Sequence, residues 1–358
     1  MSAPARSLRR WPWLSRWPGR NNEGYLAALL VLVVGVMSVV SPAFLSVHTL
    51  FSVIRGATVP WIFAMGVLLV LVSGGIDVSF PAIAVFAAYS AVAVTTARGV
   101  DAGLFGTFAL AMAVGCVLGL VNGVLIARFR LPTLIVTLGT AGFFRGAMIT
   151  FVGATYIAQL PRSLAEQSTR SLIAVNTEAG TTFVHVLVVP VLILILLIAW
   201  GLKRTMFGRT AYAIGGDPEA ARRVGIPVQR TQIVLYVLVG ALAAFGGMVF
   251  TIEGQAADPQ MLMGIELDTI AAVVLGGASI FGGRGSVLGT VLGVLLVQVI
   301  NNSLVLVGVP TAWQRATVGL LLLIGVGAQA FAGRRPRRST ASGSPVPAAQ
   351  PEREQVAS

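Results

Sequence analysis

The chain has 358 residues, 56% hydrophobic and only 11% charged, with a mean hydropathy of +0.87, so it carries too few polar side chains to cover a water-soluble surface. Its net charge of +12 does not mark a nucleic-acid protein, because 24 of the 25 basic residues are arginines clustered between apolar runs. The lone Cys116, in an apolar run between Gly115 and Val117, excludes an internal disulfide and a cysteine-rich metal site.

Residues 1–24 form a basic start, with Arg6, Arg9, Arg10, Arg16 and Arg20 ahead of the first apolar run. That run is too long for the apolar core of a signal peptide, and no small-residue cleavage site follows before Pro42, so it reads as an uncleaved membrane helix. A helix needs roughly 20 apolar residues to cross about 30 Å of hydrocarbon. Ten such runs follow in order, at 25–44, 57–73, 80–97, 103–127, 133–152, 183–202, 231–252, 267–281, 286–307 and 312–332. The predicted fold is an all-α polytopic membrane domain over residues 25–333, with the lipid bilayer as its solvent. The tail 334–358, rich in Pro, Ser, Ala and Arg, has too little apolar surface to fold alone and is predicted to be disordered.

With the N-terminus in the cytoplasm, Arg128, Arg130, the stretch 203–230, Arg284 and the basic tail share its side. Only Arg55, Arg98, Arg162, Arg170 and Arg315 fall outside, and Arg145 lies within the fifth run. The positive-inside rule thus predicts both termini in the cytoplasm. Trp61 and Trp313 are expected near the outer interface, and Trp11, Trp13, Trp17 and Trp200 near the inner one. The longest outer loop runs from about 153 to 182, and its charges Arg162, Glu166, Arg170 and Glu178 sum to zero.

Glycines mark two seams, Gly115, Gly119 and Gly123 in the fourth run and Gly285, Gly289 and Gly293 in the ninth. Spaced by four, each trio lines one helix face and allows a close backbone approach, either within one subunit or between two. Further glycines stand where spans should break, at Gly74 and Gly75, at Gly276 and Gly277, and at Gly282 and Gly283. Helices broken at membrane depth are tolerated only where protein or a water-filled cavity satisfies the freed backbone groups. A transport pathway fits that condition.

Catalytic signatures are missing. There is no phosphate-binding G-x-x-x-x-G-K-[ST] loop, and the only lysine is Lys203 in Gly201-Leu202-Lys203-Arg204. His48 and His185 are isolated, which excludes a triad or an H-E-x-x-H zinc site on spacing and leaves interfacial anchoring for each. Of the carboxylates, Asp77, Glu266 and Asp268 lie at span edges, and no proton relay is visible. Asp77, before Val78-Ser79, could cap the third span or belong to a gate. Glu266 and Asp268 follow Gly264 and favour a helix N-terminus. Arg145 reads as a buried partner or an interfacial snorkeller.

The sixth and seventh runs are joined by about 28 charged residues. Here Asp217 suits an N-cap, Pro218 a first helical turn and Gly225 a C-terminal stop around Glu219, Ala220, Ala221, Arg222 and Arg223. The result is a two-turn helix, too short to stand alone and shaped to dock a partner.

The stretch Tyr212-Ala213-Ile214-Gly215-Gly216-Asp217-Pro218-Glu219-Ala220-Ala221-Arg222, followed by Val224-Gly225-Ile226, closely resembles the coupling loop of permeases in ribose-type ABC importers, within the branched-chain amino acid/ribose permease superfamily. Gly74-Gly75-Ile76-Asp77-Val78-Ser79 also resembles that family. So does the run from Glu266-Leu267-Asp268 through Gly276-Gly277 to Phe281-Gly282-Gly283-Arg284-Gly285-Ser286-Val287-Leu288-Gly289-Thr290, as do Leu138-Gly139-Thr140, Phe144-Arg145-Gly146 and Asn301-Asn302. Two positions depart from the pattern: Asp217 stands where the family has Asn, and Pro81 where a small residue is usual.

The resemblance covers residues 25–333 and implies a non-enzymatic permease subunit of the bacterial inner membrane for a monosaccharide or sugar-like solute. Its implied partners are a second permease copy or paralogue, a cytoplasmic subunit that binds ATP and Mg, and an extracytoplasmic solute-binding protein. The chain itself would hold no cofactor. Residues 217–226 would couple to the ATPase, and Gly74, Gly75, Asp77, Ser79, Glu266, Asp268, Gly276 and Gly277 are candidates for the pathway or gate. Rival readings are a permease for branched-chain amino acids or nucleosides, an ion-coupled carrier, and a membrane-embedded enzyme or channel.

Overall fold

The computed structural model describes residues 23–177, 180–310 and a few helical positions between 313 and 323. The basic start up to residue 22, most of the tenth predicted span and the whole basic tail lie outside the described residues.

The first helix, α1, spans Glu23–Val40, and a 3-10 turn, Pro42–Leu45, ends it where Pro42 cannot continue the ladder. Helix α2 spans Val47–Val72, started by Ser46, whose Oγ accepts from the Thr49 N–H at 3.2 Å. Helices α3 (Phe80–Ala97), α4 (Gly103–Phe129) and α5 (Thr133–Phe151) follow. Pro81 sits in the first turn of α3, where its missing N–H has no helical partner to lose. Between α5 and the next long helix come a short helix α6 (Arg162–Ser168) and an antiparallel hairpin, β1 (Ser171–Thr177) with β2 (Gly180–His185), in which Thr177 faces Gly180.

Helices α7 (Val188–Arg204) and α8 (Met206–Gly216) meet at a 71° bend, and the six-residue α9 (Pro218–Arg223) follows directly. Helix α10 spans Val228–Glu253, α11 Ile265–Leu275 and α12 Val287–Leu306.

Among the described residues seven helices are long and apolar enough to cross a membrane, or eight if the α7–α8 pair is one bent span. Nine of the ten predicted runs fall within these residues, so the expected count is slightly high, and the eighth run shows why. It yields an 11-residue helix, α11, which rises only about 16 Å and cannot cross the hydrocarbon. Gly276 closes it, and Gly277 continues with φ +91°, a backbone state open to glycine at no steric cost.

The sixth run also differs, because Thr181 to His185 pair as a strand before α7 begins. The second run, expected at 57–73, is longer than its apolar stretch. Helix α2 continues back to Val47, with Arg55 on an exposed side of the helix.

The most buried spans are α2 and α3, and α10 packs chiefly on α4, α3 and α2. The exterior is apolar: Leu196 on α7, Ile135 and Phe143 on α5 and Val31 on α1 are each about 70% exposed. A surface of that kind is stable against lipid tails, not water. Trp61, expected at the outer interface, is buried instead, and its Nε1–H donates to the Val291 carbonyl on α12 at 3.3 Å.

Candidate functional site

The first glycine seam lies between α4 and α10. A Cβ on Gly115 would collide with the Gly240 carbonyl, one on Gly119 with the Tyr236 carbonyl, and one on Gly123 would stand 3.0 Å from Ile233 Cα. The second seam divides. Gly289 and Gly293 press on the Gly276 and Ala272 carbonyls of α11, whereas a Cβ on Gly285 would meet Leu68 and Val72 of α2 at 2.9 and 3.0 Å. All these contacts lie within one chain. Gly240, missed in the sequence because no partner glycine stands four residues away on α10, is the reciprocal half of the α4 seam.

At one end of the bundle three backbone segments touch. The Gly283 N–H donates to the Val72 carbonyl at 3.0 Å. A Cβ on Gly215 would collide with that same carbonyl and stand 2.7 Å from Gly283 N, and one on Gly282 would stand 2.7 Å from Gly74 Cα. Gly74 and Gly282, both with φ near +85°, turn the chain sharply beside α8. Tyr212 adds a side-chain tie, its hydroxyl donating to the Gly285 carbonyl at 2.8 Å.

The α8–α9 elbow hangs from this contact. Asp217 is extended (φ −158°), and its Oδ1 accepts from the N–H groups of Glu219 and Ala220 at 2.9 and 3.0 Å, so it caps α9. Glu219 pairs with Arg222. Gly225, at φ +84°, ends the turn, and the Ile226 N–H closes it on the Ala221 carbonyl at 3.1 Å. Ala221 packs on Ile214, Val228 and Ile226, an apolar anchor for a helix too short to persist alone. Pro218, Ala220, Arg223 and Val224 are exposed.

Asp77 stands two residues ahead of the cap position of α3, which Ser79 fills before the helix begins at Phe80. Its Oδ1 accepts from both the N–H and the hydroxyl of Ser79 at 2.7 Å, and the Asn122 carboxamide on α4 donates to Ser79 Oγ at 2.8 Å. All three side chains are buried, and Asp77 Oδ2, Asn122 Oδ1 and Tyr236 Oη lack hydrogen-bond partners. Gly75 makes room for the tyrosine, since a Cβ there would stand 3.0 Å from Tyr236 Oη.

Glu266 and Asp268 fall in the first turn of α11 after Gly264, and Glu266 lies 3.5 Å from Arg145 of α5 with both half-buried. Gly276 and Gly277 belong to the α11 break, where Gly276 meets Gly289 and Thr290 of α12.

A cavity of about 720 Å³ opens toward the hairpin end. It is walled by α2, the α10–α11 connection, α12 and β2. Arg55, His185, Glu253, Gln298, Asn301 and Asn302 supply most of its polar lining. Sequence reasoning left Glu253 out of the span-edge carboxylates and treated Asn301-Asn302 only as a likeness. His185, expected at the interface, is buried. Its Nδ1 accepts from the Leu187 N–H at 3.2 Å, which places the neutral ring's proton on Nε2. Desolvation lowers its pKa, and the adjacent Ser168 and Gln167 backbone partly offsets that.

An apolar exterior around interrupted helices and a polar cavity is the build of a multi-pass membrane transport protein. Residues 49–326 match the family described as branched-chain amino acid transport system / permease component, and the chain belongs to that family. It is 36% identical over 304 residues to the autoinducer 2 import system permease protein LsrC of Enterobacter sp. (strain 638), a match covering 85% of this chain and 84% of that protein. It is 33% identical over 314 residues to the proteins of the same name from Yersinia pestis (strain Pestoides F) and Yersinia pseudotuberculosis serotype O:3 (strain YPIII), covering 88% of this chain and 85% of each. No solved structure matches the chain.

Proposed function

We propose that this chain is the membrane-spanning subunit of an ATP-driven importer for a monosaccharide or sugar-like solute. The observation that carries the reading is the glycine contact joining Gly215, Val72 and Gly283, two residues before the Asp217 cap. A push on α9 passes through backbone contact to the elbow after α2 and to the loop after α11, both of them breaks in spans. Side chains would absorb part of such a displacement, but backbone against backbone transmits it.

In this reading the α8–α9 elbow faces the cytoplasm and receives a separate ATPase subunit that binds ATP and Mg. The N-terminus shares that side, as the arginine distribution favours. The hairpin end faces outward and meets a solute-binding protein, while a second permease copy or paralogue completes the pathway. Gly74, Gly75, Asp77 and Ser79 form the elbow that α9 drives, Gly276 and Gly277 form the second break, and Glu266 and Asp268 stand at the opposite end of α11 as further candidates for the pathway. The likeness to autoinducer 2 permeases supports a sugar-like solute.

The test is uptake into proteoliposomes holding the permease with its ATPase and binding protein. Uptake is expected only with ATP and Mg supplied on the face bearing α9. Uptake driven by a proton or sodium gradient without ATP would contradict the proposal.

A further inference from the structure

The polar atoms of the cavity define what can occupy it. Gln298, Asn301 and Asn302 recur at i, i+3 and i+4 on α12, so three carboxamides share one helix face, and all three line the cavity. Each presents a donor and an acceptor together. Glu253, the last residue of α10, and Arg55 of α2 stand on the other walls.

Glu253 Oε1 and Asn301 Oδ1 are buried without a hydrogen-bond partner, a costly state unless an occupant supplies donors. Arg55 does not supply them. Its guanidinium lies over the Phe183 ring, 5.6 Å from the centroid, and no Arg55–Glu253 pair occurs among the ion pairs of the described residues. Gly56 keeps the wall open, since a Cβ there would stand 3.0 Å from Gln298 Oε1.

The walls carry one guanidinium, Arg55, and one carboxyl, Glu253. A phosphorylated or carboxylated solute would set acceptor oxygens against the unpartnered acceptors Glu253 Oε1 and Asn301 Oδ1 and offer them no donor. A zwitterionic amino acid would engage Arg55 and Glu253 and leave the carboxamide face idle. Hydroxyl groups, which donate and accept at once, match every wall, and the volume lies within the roughly 300–1,000 Å³ usual for small-molecule sites.

We propose that Arg55, Glu253, Gln298, Asn301 and Asn302 form a binding station for an uncharged, polyhydroxylated solute of about monosaccharide size, with Glu253 and Asn301 accepting its hydroxyls. The proposal deepens the import reading above and rests on it.

The experiment uses the full chain in nanodiscs with Cys116→Ala and a single reporter, Ser52→Cys in the cavity wall or Thr181→Cys on the hairpin as a control. Modification by a small hydrophilic thiol reagent is timed with D-ribose, xylitol or L-leucine at high millimolar concentration. A neutral polyol should slow the Ser52→Cys reaction roughly tenfold, the slowing produced when nine sites in ten are occupied, and leave Thr181→Cys unchanged. Glu253→Gln and Asn301→Ala should each remove most of that protection without shifting thermal unfolding of the chain.

No protection by either polyol, equal or better protection by L-leucine, or protection undiminished in both variants would overturn the assignment. Labelling requires no ATPase, so its failure alongside intact ATP-driven uptake removes the station and leaves the import reading standing. Protection that persists without ATP-driven uptake upholds the station and removes the importer.

Discussion

The carbonyl oxygen of Val72 occupies the place where a side chain on residue 215 would begin. Helix α2 and the helix that leads into the coupling elbow are thereby in direct backbone contact, with Gly283 donating to the same oxygen. Gly215→Val must force these segments apart, and overpacking of this kind costs about 1–3 kcal/mol. The neighbouring Gly216 has open space around its Cβ position. Uptake assays paired with thermal unfolding should therefore find Gly215→Val impaired in both and Gly216→Ala close to the parent.

The Asn122–Ser79–Asp77 chain ties α4 to the segment that joins α2 and α3. Asn122→Leu removes the hydrogen bond that Ser79 Oγ accepts, while its hydroxyl keeps donating to Asp77 Oδ1. A loss of about 0.5–1.5 kcal/mol is expected, the net worth of one hydrogen bond. Thermal unfolding in nanodiscs measures it, with Gly139→Leu as a control, because residue 139 faces open space on α5.

Asp101 holds α6 in place by accepting from the Ser163 N–H at 2.8 Å and from its hydroxyl at 2.5 Å. The Ser163 hydrogen bonds keep its carboxyl below the ordinary carboxylate range. A depressed folded pKa contributes stability that is present above the unfolded value and lost as pH falls through the folded one. Protection of the Ser163 amide, its exchange rate taken relative to the intrinsic rate at each pH, should therefore fall only on acidification below the ordinary carboxylate range, and Asp101→Asn should abolish that fall. Ser163 protection that tracks pH identically in the two proteins would refute this.

The Asp217 cap has two N–H partners and no substitute. Asp217→Ala should cost about 1 kcal/mol of local helix stability, while Asp217→Asn should be nearly silent. Gly225→Val, at φ +84°, strains the turn after the helix. Backbone exchange across residues 218–226 reports both changes.

The elements most legible in the sequence were those with local causes. Apolar run length located α3, α4 and α5 within about two residues, and Asp217, Pro218 and Gly225 marked α9 because caps and stops act over one turn. Glycines at Gly74 and Gly276 announced breaks, yet their partners across the bundle, Gly215 and Gly289, could not be paired without the fold. The cavity was the least legible feature. Its walls come from residues some 250 positions apart, and Glu253 reads locally as the end of an apolar run. Arg55 precedes the second predicted run, whereas the structure places it within α2, lining a polar hollow. The hairpin that displaced the start of the sixth run forms because Thr181–His185 finds a partner strand, a condition that apolar run length does not register.

The central claim is that the α8–α9 elbow receives the ATPase and drives the span breaks. Arg222 and Arg223 lie on the last turn of α9, and replacing both with Glu reverses the charge presented to a partner while leaving the cap and the Ala221 anchor in place. In the reconstituted complex the Arg222→Glu, Arg223→Glu double variant is expected to remain folded in the membrane and to lose ATPase binding, solute-stimulated ATP hydrolysis and uptake together. ATPase binding, stimulated hydrolysis and uptake all at parental levels in that variant would contradict the account.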